Sequence, residues 1–243
     1  MRLPEHANRH ADTMGTSEER APAWKGVRFS LAGHRTSAVI GLIVAFAWPG
    51  LLLGQSHSLA NVRDDIFTIV KEWAVAIALG VIVFGIQKRK PSDVGLTRFG
   101  RRESIGILFT LVASCLFVNG RFISMPTSSP GVSGMIFVPF SVKLGLVVTA
   151  AVCEEFIFRG FAIEELGSLT GSMWFAGLIT WLGFSMAHVA SYGLTPALVF
   201  PAILGAFLTL LYLWRRNLPY CIVLHAILDG VSLFLGPAPM RSH

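Results

Sequence analysis

Charge is what this sequence has least of. Asp, Glu, Lys and Arg make up 14% of its 243 residues, against about 25% in soluble globular domains. Cysteine is scarce as well. Cys115, Cys153 and Cys221 lie far apart inside apolar stretches, which excludes a disulfide framework and a CxxC metal pattern. They read as small buried hydrophobes. The net charge is +6, yet the basic residues are not clustered as a nucleic-acid binder's would be, so no nucleic-acid partner is expected. There is no internal repeat and no low-complexity stretch. At the N-terminus no short apolar core follows closely on a basic start, and no small-residue cleavage site follows, which argues against a cleavable signal peptide.

Apolar residues take up the balance. Hydrophobic residues make up 53% of the chain and mean hydropathy is +0.63, a composition suited to a lipid solvent. Residues 1–35 differ. They are rich in Arg, Glu, His and Ala without apolar periodicity and are expected to be a disordered cytosolic tail. Its His6, His10 and His34 read as solvated. Beyond it, apolar runs long enough to span a bilayer as helices fall at about 36–53, 66–86, 104–118, 136–158 (continuing to about 166), 172–190, 196–214 and 219–235. Lys71 and Glu72 weaken the second. Strands are not expected, because an open sheet edge is unsatisfied in lipid. The expected fold is an all-α polytopic membrane bundle of about seven transmembrane helices over 36–243.

Lys and Arg orient that bundle. With the tail inside, fifteen fall on the cytosolic side: six in the tail, six at 88–102, then Arg159, Arg215 and Arg216. Only Arg63, Arg121 and Arg241 fall outside. The expectation is a multi-pass protein of the cell membrane, a bacterial inner membrane, with its N-terminus in and its C-terminus out.

Ionisable groups are costly inside a membrane and mark function by default. The last four spans carry three sets: Glu154-Glu155 with Arg159, Phe184 with His188, and His225 with Asp229. Adjacent residues on an α-helix point about 100° apart, so Glu154 and Glu155 cannot share a task. Glu155 stands four before Arg159, the favourable order for an ion pair, and is assigned to structure. Glu154 remains as the reactive group. The Gly171 turn lies 17 residues after Glu154 and 17 before His188. Equal arms of an antiparallel hairpin bring the two to one level, and a carboxylate beside an imidazole can activate water. Phe184 shares the His188 face and shapes the pocket. His225 and Asp229 share a face of the last helix, where they would either bind an oxyanion or staple helices. Straight perpendicular helices place His225 roughly 10 Å below Glu154 at 1.5 Å per residue. A tilted or protruding hairpin would absorb this offset.

At these residues the sequence resembles the CAAX protease and bacteriocin-processing (CPBP, or ABI) family of intramembrane proteases. That family shows EExxxR, FxxxH and HxxxN or HxxxD on successive membrane helices. Here they read Glu154-Glu155-xxx-Arg159, Phe184-xxx-His188 and His225-xxx-Asp229, and the resemblance covers about 136–236. It implies an intramembrane endopeptidase acting on a membrane-associated protein or peptide. Glu154 and His188 would activate water, and His225 and Asp229 would stabilise the oxyanion. Asp229 stands where Asn is commoner. It would either donate as a protonated acid, the favoured expectation, or accept from His225 and orient it. No cofactor is expected. The rival is a zinc site of Glu154, His188 and His225 with one open position. Catalysis by Cys153 is disfavoured because its side chain points about 100° from Glu154. A non-catalytic immunity or scaffold protein and a transporter are the other readings; no paired broken helices favour the latter.

Overall fold

The protein's structure, a computed structural model, describes residues 31–48, 62–119, 138–189, 194 and 198–235. The chain divides into two units, Met1–Ser30 and Leu31–His243. The first lies outside the described residues, and so does the tail expectation up to residue 30. Residues 31–35, expected in the tail, instead begin the first helix. Among the described residues there is no strand.

Among the described residues of the second unit seven longer helices follow one another. They are α1 (Leu31–Ala47), α2 (Val62–Gly80, continued by π turns at Val81–Ile86), α3 (Arg101–Asn119), α4 (140–170), α5 (Met173–Ala187), α6 (Val199–Arg215) and α7 (Leu218–Leu235). Each corresponds to one apolar run of the sequence. One of them, spanning Val62–Ile86, is long and apolar enough to cross a membrane. The helices at Met173–Ala187, Val199–Arg215 and Leu218–Phe234 and the stretch Arg35–Ala47 are apolar but shorter.

Helix α4 is the axis of the fold. It opens as an α-helix at Phe140–Thr149, winds as a π-helix over Ala150–Ile163 and closes as an α-helix at Glu164–Thr170. Ten of the fourteen π residues are buried. α4 packs against α1, α2, α5 and α7, while α3 packs against α7 and α5 against α6. Two apolar cores flank it. Leu42, Ala45, Leu79, Val83, Ile157 and Phe161 belong to the α1–α2 side, and Leu204, Leu208, Tyr212, Leu218 and Leu224 to the α6–α7 side. The inward stripe of α2 is Asp65, Glu72, Ala76, Leu79 and Val83, spaced by three, four or seven as one helix face requires.

Local chemistry sets the helix ends. Gly171 caps α4 with φ +74, a left-handed position that glycine fills without a Cβ clash. Ser172 then accepts from the Phe175 amide at 3.2 Å and caps α5. Asn217 does the same for α7, its Oδ1 accepting from the Tyr220 amide at 2.9 Å.

The turn between α6 and α7 docks on the side of α4. Arg216 Nη2 lies 2.5 Å from Glu164 Oε2, and Tyr212 Oη donates to Glu164 Oε1 at 2.8 Å. The Leu218 amide donates to Gly95 O at 2.7 Å, which ties in the 87–100 loop. Arg89 pairs with Glu165, and Arg215 with Glu103. The basic residues at this end therefore meet carboxylates from other helices. Arg159 does not belong with them. Counted from sequence among the cytosolic charges, it is fully buried inside α4, which runs eleven residues past it to Thr170.

Candidate active site

The three polar sets come from α4, the end of α5, and α7. On α4, Arg159 Nη1 donates to Glu155 Oε1 at 2.7 Å, and both side chains are fully buried. Arg159 also donates through Nη2 to Gly205 O at 3.0 Å. Its guanidinium lies 4.5 Å from the centroid of the Phe184 ring, a cation–π contact. Phe184 meets Phe158 edge-on at 5.2 Å and the His188 ring at 4.5 Å. One phenyl ring thus joins the α4 ion pair to the α5 histidine.

The approach at Gly205 is close. A Cβ there would stand 2.6 Å from Phe184 Cδ1, so a larger residue would push the ring out of place. Glycine lets the α6 carbonyl reach Arg159 while Phe184 packs over it.

His188 follows the last residue of α5. Its Nδ1 lies 2.9 Å from Phe184 O. A carbonyl only accepts, so Nδ1 carries the proton. In the neutral ring Nε2 is then the basic nitrogen.

His225 is almost fully buried on α7. Its Nδ1 lies 2.8 Å from Glu155 Oε1, and its Nε2 lies 3.3 Å from Asp229 Oδ2. A carboxylate oxygen faces each ring nitrogen. Glu155 therefore serves two partners, Arg159 within its own helix and His225 across to α7. Sequence reasoning gave Glu155 only the first.

The expected 10 Å offset of His225 below the glutamates is absent, and the docked turn explains why. That offset assumed that the α6–α7 turn and Gly171 share one level. Arg216 instead pairs with Glu164, seven residues before Gly171, so the α4–α5 hairpin extends about 10 Å past the other turn. The excess length removes the mismatch.

Glu154 points to a different side of α4 from Glu155. Its carboxylate is within electrostatic reach of His188, His225 and Asp229. Its Oε2 is shielded from solvent and has no hydrogen-bond partner among the described residues. A carboxylate with an unsatisfied buried oxygen, set among imidazoles from two other helices, has the placement of a general base. Cys153 is fully buried on α4 beside it.

Sequence reasoning missed one ionisable group. Glu72 on α2 is buried at 7% exposure, within electrostatic reach of both Glu154 and His225. Its signal was its place in an apolar run on the stripe of Ala76, Leu79 and Val83.

A zinc site of Glu154, His188 and His225 fits this arrangement poorly. Both ring nitrogens of His225 face carboxylate oxygens, which leaves that ring no nitrogen for a metal. Among the described residues no three His, Cys, Asp or Glu side chains converge as a metal-binding group.

Residues 136–231 match the family model described as "Type II CAAX prenyl endopeptidase Rce1-like". That segment holds all three polar sets and α4 whole. No curated protein and no solved structure matches the chain.

Proposed function

Because residues 136–231 match the family model of Rce1-like type II CAAX prenyl endopeptidases, we propose that the chain is an intramembrane endopeptidase that hydrolyses a peptide bond of a membrane-associated protein or peptide. The observation that carries this reading is the convergence on α4. Glu154 lies within electrostatic reach of His188 and His225 on separate helices, and Glu155 Oε1 lies 2.8 Å from His225 Nδ1.

In this reading Glu154 takes a proton from water as the hydroxyl attacks the scissile carbonyl carbon. His188, whose Nε2 is the basic nitrogen of the neutral ring, holds that water or helps pass the proton on. The carbonyl oxygen gains negative charge beside His225. The proton then goes from Glu154 to the leaving amine, and the C–N bond breaks. A positioned general base of this kind is worth roughly 10²–10⁴ in rate.

His225 carries the Asp229 question. With Asp229 Oδ2 at 3.3 Å from Nε2, the orienting role is the better supported one. Asp229 accepts from the imidazole and aims it. The direct-donation reading favoured on sequence has no such contact behind it.

A lipid setting is supported by the outward faces. Ile43 on α1, Ile77 on α2, Phe109 on α3 and Ile203 on α6 are each more than 60% exposed. Soluble monomers rarely expose apolar surface on so many elements. Together with the apolar runs, this supports a multi-pass protein in contact with the bilayer.

The test uses full-length protein in lipid vesicles with a membrane-associated peptide. Wild type is expected to cleave it, before and after exhaustive chelation, and Glu154→Gln is expected to be folded and inactive. Cleavage by Glu154→Gln at the wild-type rate would refute the assignment. Activity lost on chelation and restored by zinc would move the chemistry to a metal. A wild type that cleaves nothing while its variants still fold would leave the residues as helix staples of a scaffold.

A further inference from the structure

We propose that Glu72 is a positioning residue of this site: its carboxyl O–H donates a hydrogen bond toward Glu154, directly or through the attacking water, and so fixes the base. This rests on the peptidase reading above. Glu72 lies outside the segment 136–231, so the family match does not assign it.

The placement of α2 comes first. Trp73 Nε1 donates to Thr149 Oγ1 at 3.0 Å, pinning α2 to α4 one residue from Glu72 and five before Glu154. Ile69 approaches Gly145 of α4 a turn away. The stripe of Glu72, Ala76, Leu79 and Val83 faces inward, so the Glu72 side chain projects into the bundle. A carboxyl group there costs several kcal/mol unless something repays it.

Lys71, its neighbour on α2, makes no hydrogen bond to it among the described residues. Lys71 Nζ sits 4.1 Å from the centroid of the Phe67 ring, on another face of α2. Glu72 Oε2 is closed to solvent and has no hydrogen-bond partner among the described residues. The charged and titratable groups within its reach are Lys71, Glu154 and His225, with Cys153 beside them. His225 already has Glu155 and Asp229 at its two nitrogens. Glu154 remains, and its own Oε2 is also closed to solvent and unpartnered.

Two carboxyl groups this near, in a low-dielectric interior, do not both carry charge. Glu154 has imidazoles on two sides to favour its anion. Glu72 has no such pair and is the natural donor. A neutral acid facing the base carboxylate satisfies the unpartnered oxygen on each group. It also holds the base in one rotamer, which matters because a small misplacement of a reacting group can cost about 10²-fold in rate.

The test compares wild type, Glu72→Leu, Glu72→Gln and Glu154→Gln as full chains in vesicles. Leu removes the donor, fits an apolar helix face and should fold. Gln keeps an N–H donor. Glu72→Leu is expected to lower kcat by roughly 10²-fold with KM unchanged, and Glu72→Gln to recover most of that loss. A second readout needs no activity. The infrared carboxyl bands of Glu154, isolated by subtracting the spectrum of a Glu154→Gln protein, are expected to shift when Glu72 is Leu. Wild-type kcat in a folded Glu72→Leu protein, a Glu72→Gln protein as slow as Glu72→Leu, or an unmoved Glu154 band each overturns the proposal. Should Glu154→Gln cleave like wild type, the peptidase reading fails instead, and the band alone decides whether Glu72 addresses Glu154.

Discussion

Glu155 is the residue on which the site turns. Its Oε1 receives both Arg159 and His225, at 2.7 and 2.8 Å, so Glu155→Gln disturbs two functions together. Removing one member of a buried ion pair costs about 3–5 kcal/mol, since the other charge is stranded. Glu155→Gln and Arg159→Leu should therefore both lower thermal stability. Only Glu155→Gln should also lower kcat in the protein that remains folded, because it frees His225. Equal specific activities in the two folded variants would show that the His225 contact has no catalytic consequence. Asp229 supplies the second prediction at this scale. As an acceptor for His225 it acts through charge, so Asp229→Asn should cost roughly 10²-fold or more in kcat, in line with losses on removing groups that support an oxyanion site. Unchanged or higher activity would restore direct donation as its role. The side-chain types were legible because buried charge stands out in an apolar run, and the Glu155–Arg159 pair followed from spacing alone. The second duty of Glu155 was not legible, since no local rule fixes which helix lies across from it. Glu72 was hidden for a related reason. In one dimension it only weakens a span, and it gains meaning once α2 is known to face α4.

At the scale of elements, α4 sets the geometry. Its π winding over Ala150–Ile163 spreads more residues around each turn than an α-helix does, and π turns are frequent at functional sites. The sequence carries no marker for this winding, so angles reckoned at 100° per residue were approximate for Glu154 and Glu155. The relative height of the two hairpins was also illegible. Spacing fixes levels within a hairpin, as for Glu154 and His188, but not between hairpins. The Glu164–Arg216 contact sets that register. α6 contributes through a glycine. At Gly205 an added Cβ would lie 2.6 Å from Phe184 Cδ1 and 2.8 Å from Cε1. Gly205→Ala should displace the ring that packs on Arg159 and His188, costing about 1–3 kcal/mol as overpacking does, with a fall in activity. Gly80 on α2 has open space at its Cβ position, and Gly80→Ala should instead hold or slightly raise stability. Thermal melts and rates of the two variants, side by side, separate a packing constraint from a general preference for glycine.

At the scale of the whole molecule, the question is which way the bundle stands in the bilayer. Arg159 leaves the tally of cytosolic charges because it is buried, yet eight basic residues, Lys88, Arg89, Lys90, Arg98, Arg101, Arg102, Arg215 and Arg216, fall between α2 and the start of α3 or at the α6–α7 turn. The fold adds an independent reason to group the loop and the turn. Gly95 O accepts from the Leu218 amide at 2.7 Å, and Asn217 Nδ2 donates to Arg98 O at 3.2 Å, so the loop after α2 and the turn after α6 lie at the same end of the bundle. The α4–α5 hairpin is at that end too, through Glu164 with Arg216 and Glu165 with Arg89. A topology in which these three connections faced different sides of a membrane would have to break all of those contacts. By the positive-inside rule this end would be cytosolic, and α7, starting there, would end on the far side. A reporter active only in the cytosol should be silent after residue 243 and active when inserted in the 96–100 loop. A reporter that requires export should behave in the opposite way. Cytosolic activity at both positions would mean that α7 does not cross, and the site would then have to be rebuilt without His225 at the depth of Glu155.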